Sequence, residues 1–198
     1  MCGRYFLEVR DMPAALVELL NDLEQRERRR DPAFSIKQGE IFPGDTAAVL
    51  APNRQLTPAA FAMTWGFRLE RKLVFNARSE SAMDKPMFRD SYRRRRCLIP
   101  ASAYVEWDHR QKKPARYLFQ PEDSPMLYMC GLYRVEDDPR RPAFTILTRD
   151  ASEELASIHD RMPVILPPDM AMDWLQPDAD PGAIIRSALL HMTFTPAS

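Results

Sequence analysis

The chain has 198 residues, which is enough for one domain with a substantial hydrophobic core. Hydrophobic residues make up 45% and charged residues 28%, a balance that argues against disorder and is typical of globular proteins. The formal net charge is zero, so overall charge does not indicate a polyanionic partner. No stretch approaches the roughly 20 apolar residues of a membrane span, and the N-terminus lacks an apolar signal region.

The cysteine and arginine content bears on two further questions, the cellular compartment and the binding of phosphate. The three cysteines, Cys2, Cys97 and Cys130, are widely spaced and odd in number, which favours neither a disulfide framework nor a zinc site. We therefore expect the reducing cytoplasm as the compartment. Arginines outnumber lysines by 23 to 5. Because a guanidinium matches a phosphate bidentately, this excess is consistent with phosphate binding, and a GC-rich genome explains it equally well.

The first five residues, Met-Cys-Gly-Arg-Tyr, place a cysteine directly after the initiator methionine. Cysteine is small enough that we expect Met1 to be removed, which leaves Cys2 with a free α-amine beside its thiol. Such an amine holds far more free base at neutral pH than a lysine does. A 1,2-aminothiol can form a Schiff base with an aldehyde and close to a thiazolidine, or serve as the nucleophile of an N-terminal hydrolase. Alternatively, Cys2 is incidental at a frayed terminus.

The hydrophobic pattern of the next 60 residues predicts a strand, a helix and a strand pair. In chain order these are a strand over 2–8, a helix from Asp11 with its apolar face at Leu16, Leu19, Leu20 and Leu23, a loop over 34–43, and strands over 46–50 and 59–65. Trp65 and Gly66 end the last of these strands. A surface tryptophan beside a glycine could stack on a nucleobase, and a tryptophan at a corner of the core is the alternative.

The middle of the chain carries polar residues at the ends of apolar runs. A buried strand from Leu73 projects Asn76 and Arg78 at its end, and residues 79–92 are mostly helical with a break at Pro86. The arginine run over 93–96 is typical of a solvated face, although it could follow phosphates.

A carboxylate then appears inside an apolar strand. Residues 97–107 are predicted to be a strand, a turn and a second strand, in which Glu106 lies between Val105 and Trp107. Because side chains alternate along a strand, Glu106 points away from both neighbours. It is therefore either a surface residue or an inward acid in a polar pocket.

The last third is predicted to be strands, polar turns and short helices. The predicted elements are strands over 116–120, 126–135, 143–148 and 164–166, turns over 111–114 and 136–142, helices over 151–158, 168–175 and 181–190, and a closing strand over 192–195. Ser152 is the expected cap of the first of these helices, which ends at His159-Asp160-Arg161. His159 suits a general acid or base, and a capping or core histidine is the alternative.

Four motifs stand in a fixed order: Met-Cys-Gly-Arg-Tyr at the N-terminus, the Asn-Ala-Arg-Ser-Glu segment that starts at Asn76, the segment over 99–107, and Ile-His-Asp-Arg-Met-Pro over 158–163. Together they resemble the SRAP family of SOS response-associated peptidases, which are abasic-site processing proteins, from Cys2 to about residue 190. The resemblance implies a single α+β domain over 1–198, with a curved, mostly antiparallel β-sheet that closes toward a barrel and peripheral helices. It implies no metal and no cofactor.

The resemblance also implies roles for individual residues. Cys2 matches the nucleophile that links covalently to the ring-opened aldehyde of an abasic site in single-stranded DNA. Asn76 matches the asparagine that orients the terminal residue. Glu106 matches the acid that assists Schiff-base formation, and His159 matches the histidine that assists ring opening and proton transfer.

A second set of residues is implied in DNA binding. Arg4, Arg78 and Arg161 match arginines that hold phosphates around the lesion. The set also includes residues that line the DNA path, Trp65 and Gly66, and residues that wedge at the DNA bend, Pro43 and Met87. The sequence departs from the family in two places: the segment after Gly66 lacks a proline and a second tryptophan, and Ala103 and Val105 replace a glycine and an aromatic residue.

These features predict an abasic-site sensor that forms a thiazolidine cross-link through Cys2 and thereby shields the lesion. Slow reversal or a weak lyase activity would use Glu106 and His159. We expect a monomer that binds single-stranded DNA and no membrane, located in the cytoplasm and on the nucleoid when bound. Two alternatives remain: a cysteine-dependent peptidase or amidohydrolase, which would turn over an unrelated peptide, and a non-covalent DNA-binding module, which would bind intact and abasic strands equally.

Overall fold

The structure, a computed structural model, describes residues 2–108, 110, 114–136 and 141–197. Met1 and most of the turns predicted over 111–114 and 136–142 lie outside these residues. No helix in the described part of the chain is long and apolar enough to cross a membrane.

Strands make up most of the described fold. They are β1 (Arg4–Leu7), β2 (Gly39–Ile41), β3 (Thr46–Pro52), β4 (Pro58–Trp65), β5 (Phe67–Leu69), β6 (Lys72–Val74), β7 (Asn76–Arg78), β8 (Arg96–Ala101), β9 (Ala103–Asp108), β10 (Ala115–Gln120), β11 (Leu127–Arg134), β12 (Ala143–Asp150), β13 (Arg161–Pro163), β14 (Ile165–Leu166) and β15 (Thr193–Pro196). Helices lie between and after these strands. They are α1 (Ala14–Arg28), α2 (Ser79–Ala82), α3 (Pro86–Arg94), α4 (Glu153–Ala156), α5 (Pro168–Ala171) and α6 (Pro181–Arg186), with 3-10 turns over Val9–Asp11 and Met172–Leu175.

Five strands close into a ring. Strands β12, β4, β3, β8 and β11 pair in that order, and β11 pairs back to β12. All of these pairings are antiparallel except the one between β12 and β4. The predicted α+β class, with a mostly antiparallel sheet that closes toward a barrel, is therefore confirmed.

A second sheet packs beside the ring and has the order β15-β10-β9-β1-β2. Its strands all pair antiparallel, with Tyr5 opposite both Tyr104 and Ile41. Along β9 only Trp107 is partly exposed, and Glu106 is buried on the other face. Strand β2 lies within the loop predicted over 34–43, because residues there pair with β1.

Helix α1 confirms its predicted apolar face. Leu16, Leu20 and Leu23 are buried, and the helix packs on β4. Arg26 extends this contact by donating a hydrogen bond to the carbonyl of Ala60. Burial of a leucine side chain contributes about 2 kcal/mol, so this stripe fixes the helix on the barrel.

Two local predictions are correct only in part. Ser152 is the N-cap residue of α4, but its side chain makes no capping hydrogen bond within the described residues, and backbone contacts close the turn instead. The arginine run over 93–96 is not uniformly solvated, because Arg96 is buried. Its guanidinium donates to the carbonyls of Trp174 and Gln176, which ties β8 to the C-terminal 3-10 turn.

We expect Gly66→Ala to lower the free energy of unfolding by about 2–4 kcal/mol. Gly66 has a φ of +117°, and an added Cβ would lie 2.3 Å from Cγ of Leu73. Gly39→Ala is the matched control, because its φ is +72° but no atom lies within 4 Å of the added Cβ. Urea unfolding should show a cost of only about 1 kcal/mol there. Equal losses in both variants would rule out the clash with Leu73.

Candidate active site

Cys2 lies immediately before β1 and is buried. Its Sγ lies 3.6 Å from the carbonyl oxygen of Arg4. The side-chain nitrogen of Asn76 donates a hydrogen bond of 2.8 Å to the carbonyl oxygen of Cys2. The N-terminal residue is thus held at its backbone by a side chain 74 positions away.

Strand β12 brings two distant segments to this position. Strand β7 pairs parallel to it, so Asn76 lies opposite Ile146. Strand β13 pairs antiparallel to it, with Arg161 opposite Asp150. His159 lies just before β13, at the end of the turn that follows α4. One strand therefore sets the positions of both Asn76 and His159.

Glu106 faces His159 across the site. Nε2 of His159 lies 4.0 Å from Oε2 of Glu106, which is longer than a hydrogen bond. Nδ1 of His159 accepts a hydrogen bond of 3.0 Å from the backbone N–H of Arg161, and it lies 2.9 Å from Oδ1 of Asp160. The first contact suits the neutral ring with its proton on Nε2, and the second suits a proton on Nδ1, as in the imidazolium ion or the other neutral tautomer. When Nδ1 accepts from Arg161, and in the imidazolium ion, Nε2 carries a proton toward Glu106.

Burial changes the protonation of two groups in the site. The Glu106 residue is only 4% exposed, and burial raises its pKa to about 7, with a smaller contribution from the charge of Asp160. Burial also raises the pKa of the Cys2 thiol well above its ordinary value, and the charge of Glu106 adds to the shift. At neutral pH Glu106 can therefore both give and take a proton, whereas the thiol stays protonated.

The three arginines of the predicted DNA-binding set differ in environment. Arg78 is exposed at the end of β7. Arg4 is 38% exposed, and its guanidinium lies between two aromatic rings. Arg161 is only 8% exposed and binds the carboxylates of Glu80 and Asp150. In this arrangement Arg161 orients the segment that carries His159, and its contact with a phosphate stays a prediction.

The structure corrects the prediction for Trp65. Its indole ring is fully buried, stacks on Phe144, and donates from Nε1 to the carbonyl of Phe75 at 2.9 Å. It is therefore part of the core and cannot stack on a nucleobase from this position. Gly66 lines a small polar cavity of about 260 Å³ beside it. Pro43 and Met87 are half-buried, so part of each reaches the surface, and their wedge role stays a prediction.

Sequence reasoning missed the carboxylates that hold the basic residues. Glu80 and Asp150 bind Arg161, and Asp160 lies against the His159 ring. Glu80 and Asp160 lie inside the recognised motifs, but their partners depend on how β12 and β13 pair. In the sequence, these carboxylates could have been suspected only from an acidic residue that stands close to a basic site residue.

Comparison with known proteins shows which family and which relatives the chain resembles. The model for the family described as SOS response associated peptidase (SRAP) matches residues 1–195. The abasic site processing protein YoaM of Bacillus subtilis is 36% identical over 123 residues, which are 59% of this chain and 53% of YoaM. The abasic site processing protein YedK of Escherichia coli is 28% identical over 181 residues, which are 89% of this chain and 80% of YedK. The matched part of the chain thus covers about half the length of YoaM and 80% of the length of YedK.

Solved structures share the fold. A protein from Bacteroides thetaiotaomicron superposes with a TM-score of 0.77 at 21% identity, covering 100% of this chain and 92% of that one. A protein from Bordetella bronchiseptica gives 0.75 at 22% identity, with 100% of both chains covered. With a family model that matches almost the whole length, the chain belongs to the SOS response-associated peptidase (SRAP) family.

Proposed function

We propose that this protein processes abasic sites in single-stranded DNA by forming a thiazolidine between Cys2 and the aldehyde of the lesion. The choice of an abasic site as the substrate rests on the relatives YoaM and YedK, which are abasic site processing proteins. The single observation that carries the chemistry is the convergence of Cys2, Asn76, Glu106 and His159 from four distant segments. A 1,2-aminothiol, a carboxylic acid with a raised pKa and an imidazole N–H together are sufficient for Schiff-base formation.

The first step is exposure of the aldehyde. The sugar of an abasic site is mostly a closed hemiacetal, and opening requires a proton on the ring oxygen and removal of the proton from the C1′ hydroxyl. Nε2–H of His159 is the donor, and the carboxylate of Glu106 is the acceptor. Because an abasic nucleotide has no base to unstack, its entry into a narrow site costs less than the flipping of an intact nucleotide.

The second step begins once Met1 has been removed. The free α-amine of Cys2 adds to C1′ and gives a carbinolamine. Glu106, now protonated, transfers its proton to the hydroxyl group, which leaves as water, and the nitrogen keeps its one proton, so that an iminium C=N bond forms. Asn76 fixes the carbonyl of Cys2, which holds the amine near its target.

The third step closes the ring. The Cys2 sulfur bonds to the iminium carbon, the π electrons of the C=N bond return to nitrogen, and the thiol proton passes to Glu106, which became a carboxylate in the previous step. One water is lost overall, and the product is a five-membered thiazolidine. The reverse sequence, or β-elimination from the imine assisted by His159, would account for slow release or weak lyase activity.

The surroundings of the site suit a single strand of DNA. Arg78 and the partly exposed Arg4 offer cations without base-specific contacts, which favours binding independent of sequence. A protein with this activity would act as a monomer on DNA in the cytoplasm and nucleoid.

A denaturing gel tests the proposal. The Met1-processed protein is mixed with a single-stranded oligonucleotide carrying one abasic site, and with the same oligonucleotide intact. We expect a shifted band that survives denaturation with the abasic strand only and that disappears in Cys2→Ala. No stable band, together with equal and fully salt-reversible binding of both strands, would contradict the proposal and leave a non-covalent binding module or an unknown hydrolase.

We expect Asn76→Ala to slow adduct formation by about 10- to 100-fold, because the Cys2 backbone loses its anchor. The loss of one neutral hydrogen bond should lower the free energy of unfolding by only about 1 kcal/mol. Single-turnover kinetics and urea unfolding measure the two effects separately. Asn76→Asp is the companion variant, since a carboxylate would repel the carbonyl and should be at least as slow. A rate equal to that of the unsubstituted protein in both variants would contradict the role of Asn76.

A further inference from the structure

The outer face of the second sheet, opposite to Glu106, carries two arginines that share one carboxylate. On β1, Nη1 of Arg4 lies 3.3 Å from Oε1 of Glu40 on β2. On β10, Nη2 of Arg116 lies 2.7 Å from the same oxygen. We call these three residues the Glu40 cluster. One carboxylate cannot neutralise two guanidinium groups, so the cluster keeps a net positive charge.

Aromatic rings hold both guanidinium groups in place. The Arg4 guanidinium lies 4.8 Å from the ring centre of Phe42 and 4.7 Å from that of Trp107. The Arg116 guanidinium lies 5.6 Å from the ring centre of Phe6. Such cation–π contacts orient a guanidinium without consuming its N–H donors. The donor edges are therefore pre-arranged for a planar acceptor such as a phosphate.

The hydrogen-bonding capacity of the Glu40 cluster is not filled. Nε of Arg116 is buried and has no hydrogen-bond partner among the described residues. Buried polar atoms in native proteins are normally paired. Nε itself is enclosed, but the side chains of both Glu40 and Arg116 are 23% exposed, so a ligand from solvent can reach the outer atoms of the cluster.

The Glu40 cluster also lies close to the nucleophile. Arg4 is two residues from Cys2, so their Cα atoms are at most about 7 Å apart. We propose that the Glu40 cluster is a phosphodiester site for the strand next to the lesion, and that Glu40 is an internal counter-ion which the phosphate displaces. The identity of the ligand rests on the proposed function, and the roles of Glu40 and Arg116 go beyond it.

This arrangement has a consequence for selectivity. A phosphate must compete with Glu40 for both guanidinium groups, so the cluster weakens non-covalent binding of any strand. Only a strand that is then captured at Cys2 is retained. Glu40 thus lowers the occupancy of the protein on intact DNA without opposing the covalent product.

Binding of an intact thymidine oligonucleotide, followed by fluorescence anisotropy, tests this role. All variants carry Cys2→Ala, so that covalent capture is absent. We expect Glu40→Gln to bind about fivefold more tightly and Arg116→Gln about fivefold more weakly at low salt. The slope of log K against log salt should be shallower by roughly 0.7 in Arg116→Gln, as expected for one lost phosphate contact. Arg116→Lys should keep most of that slope.

Glu24→Gln is the matched control, because Glu24 pairs with Arg28 at 2.5 Å within helix α1, which carries none of the predicted DNA-binding residues. It should leave affinity and slope unchanged. Thermal melting verifies that each variant is folded, and Glu40→Ala provides a second test of the lost charge. Unchanged affinity in Glu40→Gln, Glu40→Ala and Arg116→Gln would overturn the inference, even if the protein that retains Cys2 forms the abasic adduct. Conversely, the predicted shifts without any abasic adduct would support the Glu40 cluster and refute the proposed chemistry.

Discussion

Replacing Cys2 by Ser should reduce the yield of denaturation-stable adduct by at least about 100-fold while leaving an α-amine at the terminus. The serine amine can still form a Schiff base with the aldehyde. A hydroxyl is a much weaker nucleophile than a thiol, so the ring does not close and the imine hydrolyses. Borohydride reduction should therefore trap the Cys2→Ser protein on abasic DNA, whereas the unreduced sample should show almost none.

The same experiment separates thiol from amine chemistry. Cys97→Ala is the control, because Cys97 is a buried thiol in the barrel and should not affect the adduct. A stable adduct of Cys2→Ser in the absence of borohydride would mean that sulfur is not part of the linkage. Failure of borohydride to trap any Cys2→Ser species would argue against attack by the amine.

Glu106→Gln should slow adduct formation by about 100- to 1000-fold, because glutamine fills the same space but cannot transfer a proton. Both the loss of water and the closure of the ring use proton transfer to or from this residue in the proposed sequence. Quenched single-turnover assays on abasic oligonucleotide measure the rate. Glu153→Gln, which changes an exposed carboxylate on α4, is the control and should react at the rate of the unsubstituted protein. An unaffected rate in Glu106→Gln would remove Glu106 from the mechanism.

The same substitution should stabilise the protein at high pH. Burial raises the pKa of Glu106 from 4.5 to about 7, so between these values the folded state holds a proton that the unfolded state has lost. The native state binds more protons in this window, and the free energy of unfolding therefore falls as pH rises through it. The full shift corresponds to about 3 kcal/mol, which remains lost above pH 7.

Glu106→Gln carries no such penalty, because the amide does not ionise. Relative to the unsubstituted protein, its free energy of unfolding should be similar near pH 4 and higher by up to about 3 kcal/mol at pH 8. Urea unfolding at the two pH values measures the difference. A stability difference that does not change with pH would mean that Glu106 does not titrate as described.

The sequence predicts the chemistry of the site better than its environment. The alternation of side chains along β9 correctly predicts that Glu106 lies on the opposite face from Val105 and Trp107. It does not indicate which of the two faces is buried. That depends on how the second sheet packs, and within it β9 pairs with β10, which follows it in the chain, and with β1, which lies at the start of the chain. Glu106 is an inward acid because its face of the second sheet is packed against the rest of the fold, and no short-range pattern encodes that packing.

Arg96 and Trp65 show the same limit in the opposite direction. A run of four arginines is typical of a solvated face, and a tryptophan next to a glycine fits either a surface platform or a corner of the core. Arg96 is buried by a turn about 80 residues later, and Trp65 is enclosed by β1 and β12. Arg161 likewise meets Glu80, which is 81 positions away, only because β12 pairs with both β7 and β13. Long-range pairing, rather than local composition, decides these environments.

Mass spectrometry of the adduct tests the central claim most directly. The Met1-processed protein is incubated with an abasic oligonucleotide, the adduct is digested, and the linked peptide is sequenced. The account predicts one linkage per protein, at residue 2, with the loss of one water from the combined masses and no free thiol at Cys2. A linkage at a lysine or at another cysteine, or a linked peptide that retains a free Cys2 thiol, would contradict it.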